Sequence, residues 1–134
     1  SSRYDKFKEG IVLNAFKPDM SNGALVDIGV YTIYPMVVLF GRPKSITANG
    51  IKLSSGVDGQ GVVSFEYDGM NATVLYSKIA NSSLPTEIQG EEGNITLDRI
   101  NIIGDVTLSY RSGNKEVLTQ PDLKDDYYYG IGRK

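Results

Sequence analysis

The chain has 134 residues, the length of a single domain, and it contains neither cysteine nor histidine. Disulfides, thiolate metal sites and a histidine general base are therefore excluded, so any acid or base must be Asp, Glu, Tyr or Lys. Fourteen basic and sixteen acidic side chains give a formal net charge of −2, which provides no electrostatic footprint for nucleic acid or an anionic membrane.

The first ten residues, SSRYDKFKEG, are charged and lack the apolar stretch of a signal peptide. We expect no membrane-spanning segment, because no apolar run approaches the roughly 20 residues that a span requires. These features favour a cytoplasmic protein that binds neither nucleic acid nor a membrane, and we expect no metal site.

A strand, a turn and a long helix are predicted in the first part of the chain. Residues 10–16, GIVLNAF, are typical of a strand, and residues 17–23, KPDMSNG, are typical of a turn. Ser21 or Asn22 can cap a helix that begins there.

The helix is predicted from an almost wholly apolar run at residues 24–40, which is too long for one strand. Such a run fits a buried helix best. Gly41 and Pro43 should end it. Pro35 lies inside the run and cannot donate a backbone hydrogen bond, so we expect a kink or a locally broken turn there.

After Pro43 the pattern indicates β-structure. Residues 45–53 favour a strand, residues 54–61 favour a loop, and three hairpins follow. The hairpins are predicted at residues 62–80, 86–100 and 105–120, with turns at Asp68-Gly69, at 90–93 and at 112–114.

One long helix followed by three hairpins predicts an α+β fold, with a mainly antiparallel sheet and the helix packed on one face. Several strands carry apolar residues on both faces, as Leu75 between Val74 and Tyr76 shows. The second face therefore requires a cover that one helix cannot provide. A partner subunit and another domain are both candidates.

Asp27 stands within the apolar helix, and Tyr31 follows four residues later. At this spacing the two residues share one helix face, with Cβ atoms about 6 Å apart, so one ligand could contact the carboxylate and the phenol. Gly23 and Gly29 would allow another backbone or a ligand to approach closely. The alternative is structural: Asp27 would bind donors near the helix start, and Tyr31 would belong to the core.

The glycine-rich residues 56–61, GVDGQG, do not form a dinucleotide-binding loop. The spacing G-x-G-x-x-G is absent, and a strand rather than a helix follows.

Several segments together resemble the C-terminal domain of the Gfo/Idh/MocA oxidoreductases. NGALVDIGVYTIYPMVVLFGRPKSI resembles the opening of that domain, where Gly-Ala/Gly-Leu-x-Asp-x-Gly-x-His/Tyr precedes a helix ending in Leu-x-Gly-x-Pro. GVDGQGVVSFEYDGMNATVLYS resembles the family's hairpin, and EIQGEEGNITL resembles its I-x-G-x-x-G-x-I strand pair. The resemblance covers about residues 1–120 in sequence order, so it is specific.

The resemblance implies an open-faced sheet domain, like the C-terminal domain of glyceraldehyde-3-phosphate dehydrogenase, that shapes the substrate site and forms a homo-oligomer. Residues 1–134 would be one such domain. The family's N-terminal Rossmann domain, which binds NAD or NADP and carries a Glu-Lys-Pro lysine, would be absent, and the closing helix would be cut off near residues 125–134. Alone, the chain would bind no nucleotide and would be catalytically incompetent.

Asp27 and Tyr31 fall on the family's Asp-x-Gly-x-His/Tyr positions, which implies that both are catalytic. Most members have His at the second position, and a subgroup resembling dimeric dihydrodiol and xylose dehydrogenases has Tyr. Tyr31 would transfer a proton. A free phenol ionises only at high pH, so it would need a nearby cation, such as the missing lysine. Asp27 would orient the substrate hydroxyl or the tyrosine.

The reaction implied is hydride transfer between nicotinamide and a carbinol carbon of a sugar, polyol or dihydrodiol. The alternative function is a non-catalytic sheet module for dimerisation or ligand capture.

Overall fold

The computed structural model describes residues 2–20 and 23–119, and it confirms the α+β fold. The helical elements are α1 (Ser2–Lys8), 3-10 turns at Asn14–Phe16 and Pro18–Met20, a π-helical turn at Leu25–Gly29, and α2 (Val30–Phe40). The strands are β1 (Ser45–Lys52), β2 (Asp58–Glu66), β3 (Asn71–Ser77), β4 (Thr86–Gln89), β5 (Gly93–Arg99), β6 (Ile102–Tyr110) and β7 (Lys115–Val117).

The strands pair in two antiparallel sheets, β1-β2-β3 and β4-β5-β6-β7, where the sequence predicted one sheet. The chain divides into two compact units, Ser1–Ser82 and Ser83–Lys134. Local hairpin signals predict which neighbouring strands pair, but they do not determine how many hairpins join one sheet.

In the first unit, helix α2 and the turn before it pack on one face of the sheet β1-β2-β3. Val63 lies opposite Val74 in the register of β2 and β3, and Gly61 lies opposite Tyr76. Since alternate residues of a strand face the same side, these positions form one surface toward the helix. The core of the unit contains Ala24, Met36, Val63, Phe65, Val74 and Tyr76. The predicted packing of the helix on one sheet face is confirmed.

The prediction that the helix is buried is wrong for most of its residues. Val26, Tyr34 and Val38 are exposed, whereas Met36 belongs to the core. A three-stranded sheet covers only one side of a helix. The apolar side chains of residues 24–40 that point away from the sheet are therefore exposed within this unit.

The helix ends where the sequence predicts, because Gly41 adopts φ +75° and its N–H donates to the carbonyl of Val37 at 2.8 Å. The helix is continuous through Pro35, and its irregular turn lies upstream at Leu25–Gly29. A proline removes a single N–H, and the neighbouring hydrogen bonds of the helix persist. The proposed caps Ser21 and Asn22 lie outside the described residues.

The carboxylate of Asp58 lies at the start of this helix. The N–H of Leu25 donates to Asp58 Oδ2 at 2.7 Å, which satisfies one of the donors that a helix start leaves unpaired. A Cβ atom at Gly23 would collide with this carboxylate. The glycine therefore allows a side chain of β2 to approach the helix.

The strand predicted at residues 10–16 is wrong, because this segment is irregular and ends in the 3-10 turn Asn14–Phe16. Phe16 is almost completely buried, and its ring centroid lies 5.1 Å from that of Phe7 in α1. Among the apolar residues of this segment, Phe16 is buried, whereas Ile11 and Val12 are exposed. The segment is therefore held by one buried aromatic side chain and not by pairing as a strand.

The three predicted hairpins are confirmed. Gly69 and Gly113 adopt φ values of +69° and +95° at the tight turns, and the N–H of Gly90 donates to the carbonyl of Gly93 at 2.8 Å. The predicted loop 54–61 is shorter than expected, since β2 already begins at Asp58. Residue 120, the end of the third predicted hairpin, lies outside the described residues.

By length and composition alone, the stretch Pro18–Phe40 is apolar enough to cross a membrane, although residues 21 and 22 within it lie outside the described part of the chain. Core helices of soluble proteins pass the same test, and Ala24 and Met36 of this stretch belong to the core.

Candidate active site

Asp27 lies in the π-helical turn Leu25–Gly29, and its carboxylate forms an ion pair with Lys78. Asp27 Oδ2 is 2.7 Å from Lys78 Nζ. The Asp27 side chain is 49% exposed, whereas that of Lys78 is only 7% exposed. Single π-helical turns inside helices are rare, and they occur frequently at functional sites. The Asp27 carboxylate is therefore held by a buried ammonium group on one side and is exposed on the other.

The sequence does not mark Lys78 as a site residue. Lys78 follows the last residue of β3, and its N–H donates to the carbonyl of Gly59 at 2.8 Å, which extends the pairing of β2 and β3 by one residue. Its Nζ also donates to the carbonyl of Ala15 at 2.8 Å and lies 5.9 Å from the ring centroid of Phe16. A lysine after a strand is ordinary in sequence, so only the tertiary structure reveals the pairing with Asp27.

Tyr31 lies in α2, one turn after Asp27, and it is 57% exposed. Its phenol is thus accessible to a ligand, and it is not a core residue as the structural alternative required. Four residues span about one helical turn, so Asp27 and Tyr31 lie on the same side of the helical segment. The catalytic roles of Asp27 and Tyr31 remain predictions.

Tyr76 is the buried tyrosine beside this helix. A Cβ atom at Gly29 would lie 3.5 Å from its ring. Burial raises the pKa of Tyr76, and the charge of Asp58 and its hydrogen bond with the phenol raise it further. Tyr76 is therefore a neutral donor that connects the sheet to the helix start. The close approach expected at Gly23 and Gly29 is made by the side chains of Asp58 and Tyr76.

The glycine-rich residues 56–61 have packing roles. A Cβ atom at Gly59 would lie 2.8 Å from the Leu53 side chain, and one at Gly61 would overlap the phenol of Tyr76. Gly59 and Gly61 belong to β2 rather than to a turn before a helix. These residues do not fit a dinucleotide cradle, which requires backbone N–H groups at the start of a helix.

The sequence assigns the chain to a family of oxidoreductase domains. The family model described as the GFO/IDH/MocA C-terminal domain matches residues 3–96. The chain belongs to this family, and the resemblance found in the sequence is confirmed.

Two curated dehydrogenases illustrate the relationship. The chain is 55% identical over 129 residues to the scyllo-inositol 2-dehydrogenase (NADP(+)) IolU of Bacillus subtilis, an alignment that covers 96% of the chain and 39% of that protein. It is 36% identical over 88 residues to the trans-1,2-dihydrobenzene-1,2-diol dehydrogenase of Danio rerio, covering 63% of the chain and 26% of that protein. The chain thus spans about two fifths or less of the length of these relatives.

Two solved structures share the fold. A Klebsiella pneumoniae protein described as an oxidoreductase gives a TM-score of 0.60 at 16% identity, over 74% of this chain and 35% of that one. The Bacillus subtilis protein yvaA, also described as an oxidoreductase, gives a TM-score of 0.57 at 18% identity, over 81% of this chain and 42% of that one.

Proposed function

We propose that this chain is the substrate-binding and oligomerisation domain of a cytoplasmic NAD(P)-dependent dehydrogenase that oxidises a cyclic polyol or dihydrodiol. Family membership supports the reaction class. The names of the two curated relatives support the substrate class, because scyllo-inositol and the dihydrobenzenediol are both six-membered carbon rings with neighbouring hydroxyl groups. One observation carries the proposal for the site: a half-open carboxylate, Asp27, is held by a buried ammonium group one helical turn from the accessible phenol of Tyr31.

In this proposal, Asp27 accepts a hydrogen bond from a substrate hydroxyl and thereby orients the ring. Tyr31 exchanges a proton with the hydroxyl on the reacting carbon, as a general acid or base. The nicotinamide that supplies or accepts the hydride is assigned to another domain of the full-length protein, because residues 56–61 do not fit a nucleotide. This chain would contribute orientation and proton transfer only.

The sheet face away from the helix supports the proposed oligomerisation. Leu75 and Ile51 are 62% and 51% exposed on this face. They line an open groove of about 540 Å³ together with Asn49, Gln60, Val62 and Ser77. A second copy of the chain would cover these apolar side chains. The same face also suits the alternative function, a non-catalytic module for dimerisation.

The experiment that tests this function measures nicotinamide reduction by the purified full-length protein. NAD and NADP are each offered with scyllo-inositol, with a trans-dihydrodiol and, as a control, with a linear polyol. We expect turnover with at least one cyclic substrate, faster than with the linear polyol. A full-length protein that reduces neither nucleotide with any of the three would contradict the proposed activity and favour the non-catalytic module.

A further inference from the structure

We infer that Lys78 is a positioning residue of this site, whose buried ammonium group fixes the Asp27 carboxylate in the orientation that the substrate requires. This inference rests on the proposed function, because it assigns to Asp27 a contact with a substrate hydroxyl. Lys78 itself lies beneath the carboxylate, on the side of the protein interior.

The geometry around Lys78 is that of a fixed anchor. Its backbone N–H donates a hydrogen bond to the carbonyl of Gly59, so the residue extends the pairing of β2 and β3 and does not belong to a free loop. Its Nζ donates to the Ala15 carbonyl at 2.8 Å and meets Asp27 Oδ2 at 2.7 Å. Since an ammonium group carries three donors, these two partners already restrict the direction in which it can point.

Burial distinguishes this ion pair from an ordinary surface pair. Lys78 is 7% exposed, whereas Lys44 and Asp68 form a second pair in which the side chains are 60% and 92% exposed. Burial of a cation is costly even when it is paired, so such pairs contribute little net stability. Their best-supported role is to specify one arrangement of the groups around them.

The arrangement that Lys78 specifies joins three parts of the chain. The ammonium group connects the 3-10 turn Asn14–Phe16, through the Ala15 carbonyl, to the π-helical turn that carries Asp27. With Oδ2 directed at Lys78, the rotation of the carboxylate is restricted, while about half of the side chain stays open to a ligand. A substrate hydroxyl would therefore meet an acceptor that is already oriented.

The test compares variants of the full-length enzyme, with steady-state kinetics and thermal unfolding measured for each. Lys78→Met removes the ammonium group and keeps a chain of similar length, and Lys44→Met is the matched control on an exposed lysine. We expect Lys78→Met to lower kcat/KM by roughly 10- to 100-fold, the effect of a misplaced catalytic contact. Lys44→Met should stay within about twofold of the wild type.

A double variant separates positioning from stability. If Lys78 acts through Asp27, the variant Lys78→Met/Asp27→Asn should lose no more kcat/KM than Asp27→Asn alone. Lys78→Arg keeps the charge and the donors, and it should retain several-fold more kcat/KM than Lys78→Met. Losses that multiply in the double variant, or equal losses in Lys78→Arg and Lys78→Met, would overturn the inference.

Two further outcomes distinguish this inference from the proposed function. If Asp27→Asn lowers turnover but Lys78→Met changes only the melting temperature, the positioning role fails and the proposed function stands. If Asp27→Asn keeps wild-type turnover, the assignment of Asp27 fails, and the role of Lys78 fails with it.

Discussion

The two sides of the Asp27–Lys78 ion pair should contribute unequally to stability, because only one of them is buried. Asp27→Asn leaves the Lys78 ammonium, 7% exposed, without its carboxylate. Breaking a fully buried pair costs about 3–5 kcal/mol. Since Asp27 is 49% exposed, water already weakens this pair, and we expect a loss of roughly 2 kcal/mol.

Lys78→Met should cost less than Asp27→Asn. The carboxylate that remains is half-exposed and can be hydrated, and the methionine fills the volume of the lysine stem. The lost hydrogen bond from the ammonium group to Ala15 contributes about 1.5–3 kcal/mol, most of which is offset because the variant no longer buries a cation and buries an apolar side chain instead. We therefore expect a loss of less than about 1 kcal/mol. The double variant should be more stable than Asp27→Asn, because it no longer contains a buried cation.

Urea unfolding followed by circular dichroism measures these differences, provided that the m-value is the same for all variants. Lys44→Met and Asp68→Asn serve as controls and should each change stability by less than about 1 kcal/mol, since their pair is exposed. Equal losses for Asp27→Asn and Lys78→Met, or a larger loss for Lys78→Met, would refute the reasoning from burial.

Three further predictions concern other parts of the chain. Because the folded-state pKa of Tyr76 is raised above the ordinary value of 10.0, its contribution to the free energy of unfolding is complete below about pH 10 and is lost at higher pH. Tyr76→Phe should therefore reduce the loss of stability at alkaline pH, measured by urea unfolding over a pH series. A pH profile identical to that of the wild type would count against this role of Tyr76. Calorimetric titration of the 134-residue chain with NAD or NADP should be flat, and micromolar binding would contradict the assignment of the nucleotide to another domain. Light scattering of the 134-residue chain should give the mass of a dimer, and the variant Leu75→Glu should give a lower mass. A monomer mass for the unchanged chain at high micromolar concentration would argue against oligomerisation through the open sheet face.

The parts of the fold that the sequence predicts correctly depend on local chemistry. Asp68-Gly69 predicts a hairpin because glycine readily adopts the positive φ of that turn, and Gly41 predicts a helix end for the same reason. The hydrophobic run at residues 24–40 is long enough to exclude a single strand. These features require no knowledge of distant residues.

The errors and omissions arise from contacts between distant residues. Phe16 is buried against the aromatic residues of α1, so its segment does not need to pair as a strand. Helix α2 is exposed on most of its surface because one small sheet covers one side, which hydrophobicity alone does not reveal. Lys78 pairs with Asp27 across the fold, and no local pattern marks either residue as the partner of the other. The sequence predicts a site at Asp27 and Tyr31, but it does not predict that the buried Lys78 holds Asp27.

The most direct test of the central claim is the turnover of the full-length enzyme with Tyr31→Phe. This change removes one oxygen atom from an exposed ring and should leave the fold intact. Tyr34→Phe is the matched control, because Tyr34 is an exposed tyrosine of the same helix. If the Tyr31 phenol transfers a proton, kcat should fall by roughly 10²- to 10⁴-fold in Tyr31→Phe and remain unchanged in Tyr34→Phe. Wild-type turnover in Tyr31→Phe would contradict the catalytic role proposed for this domain.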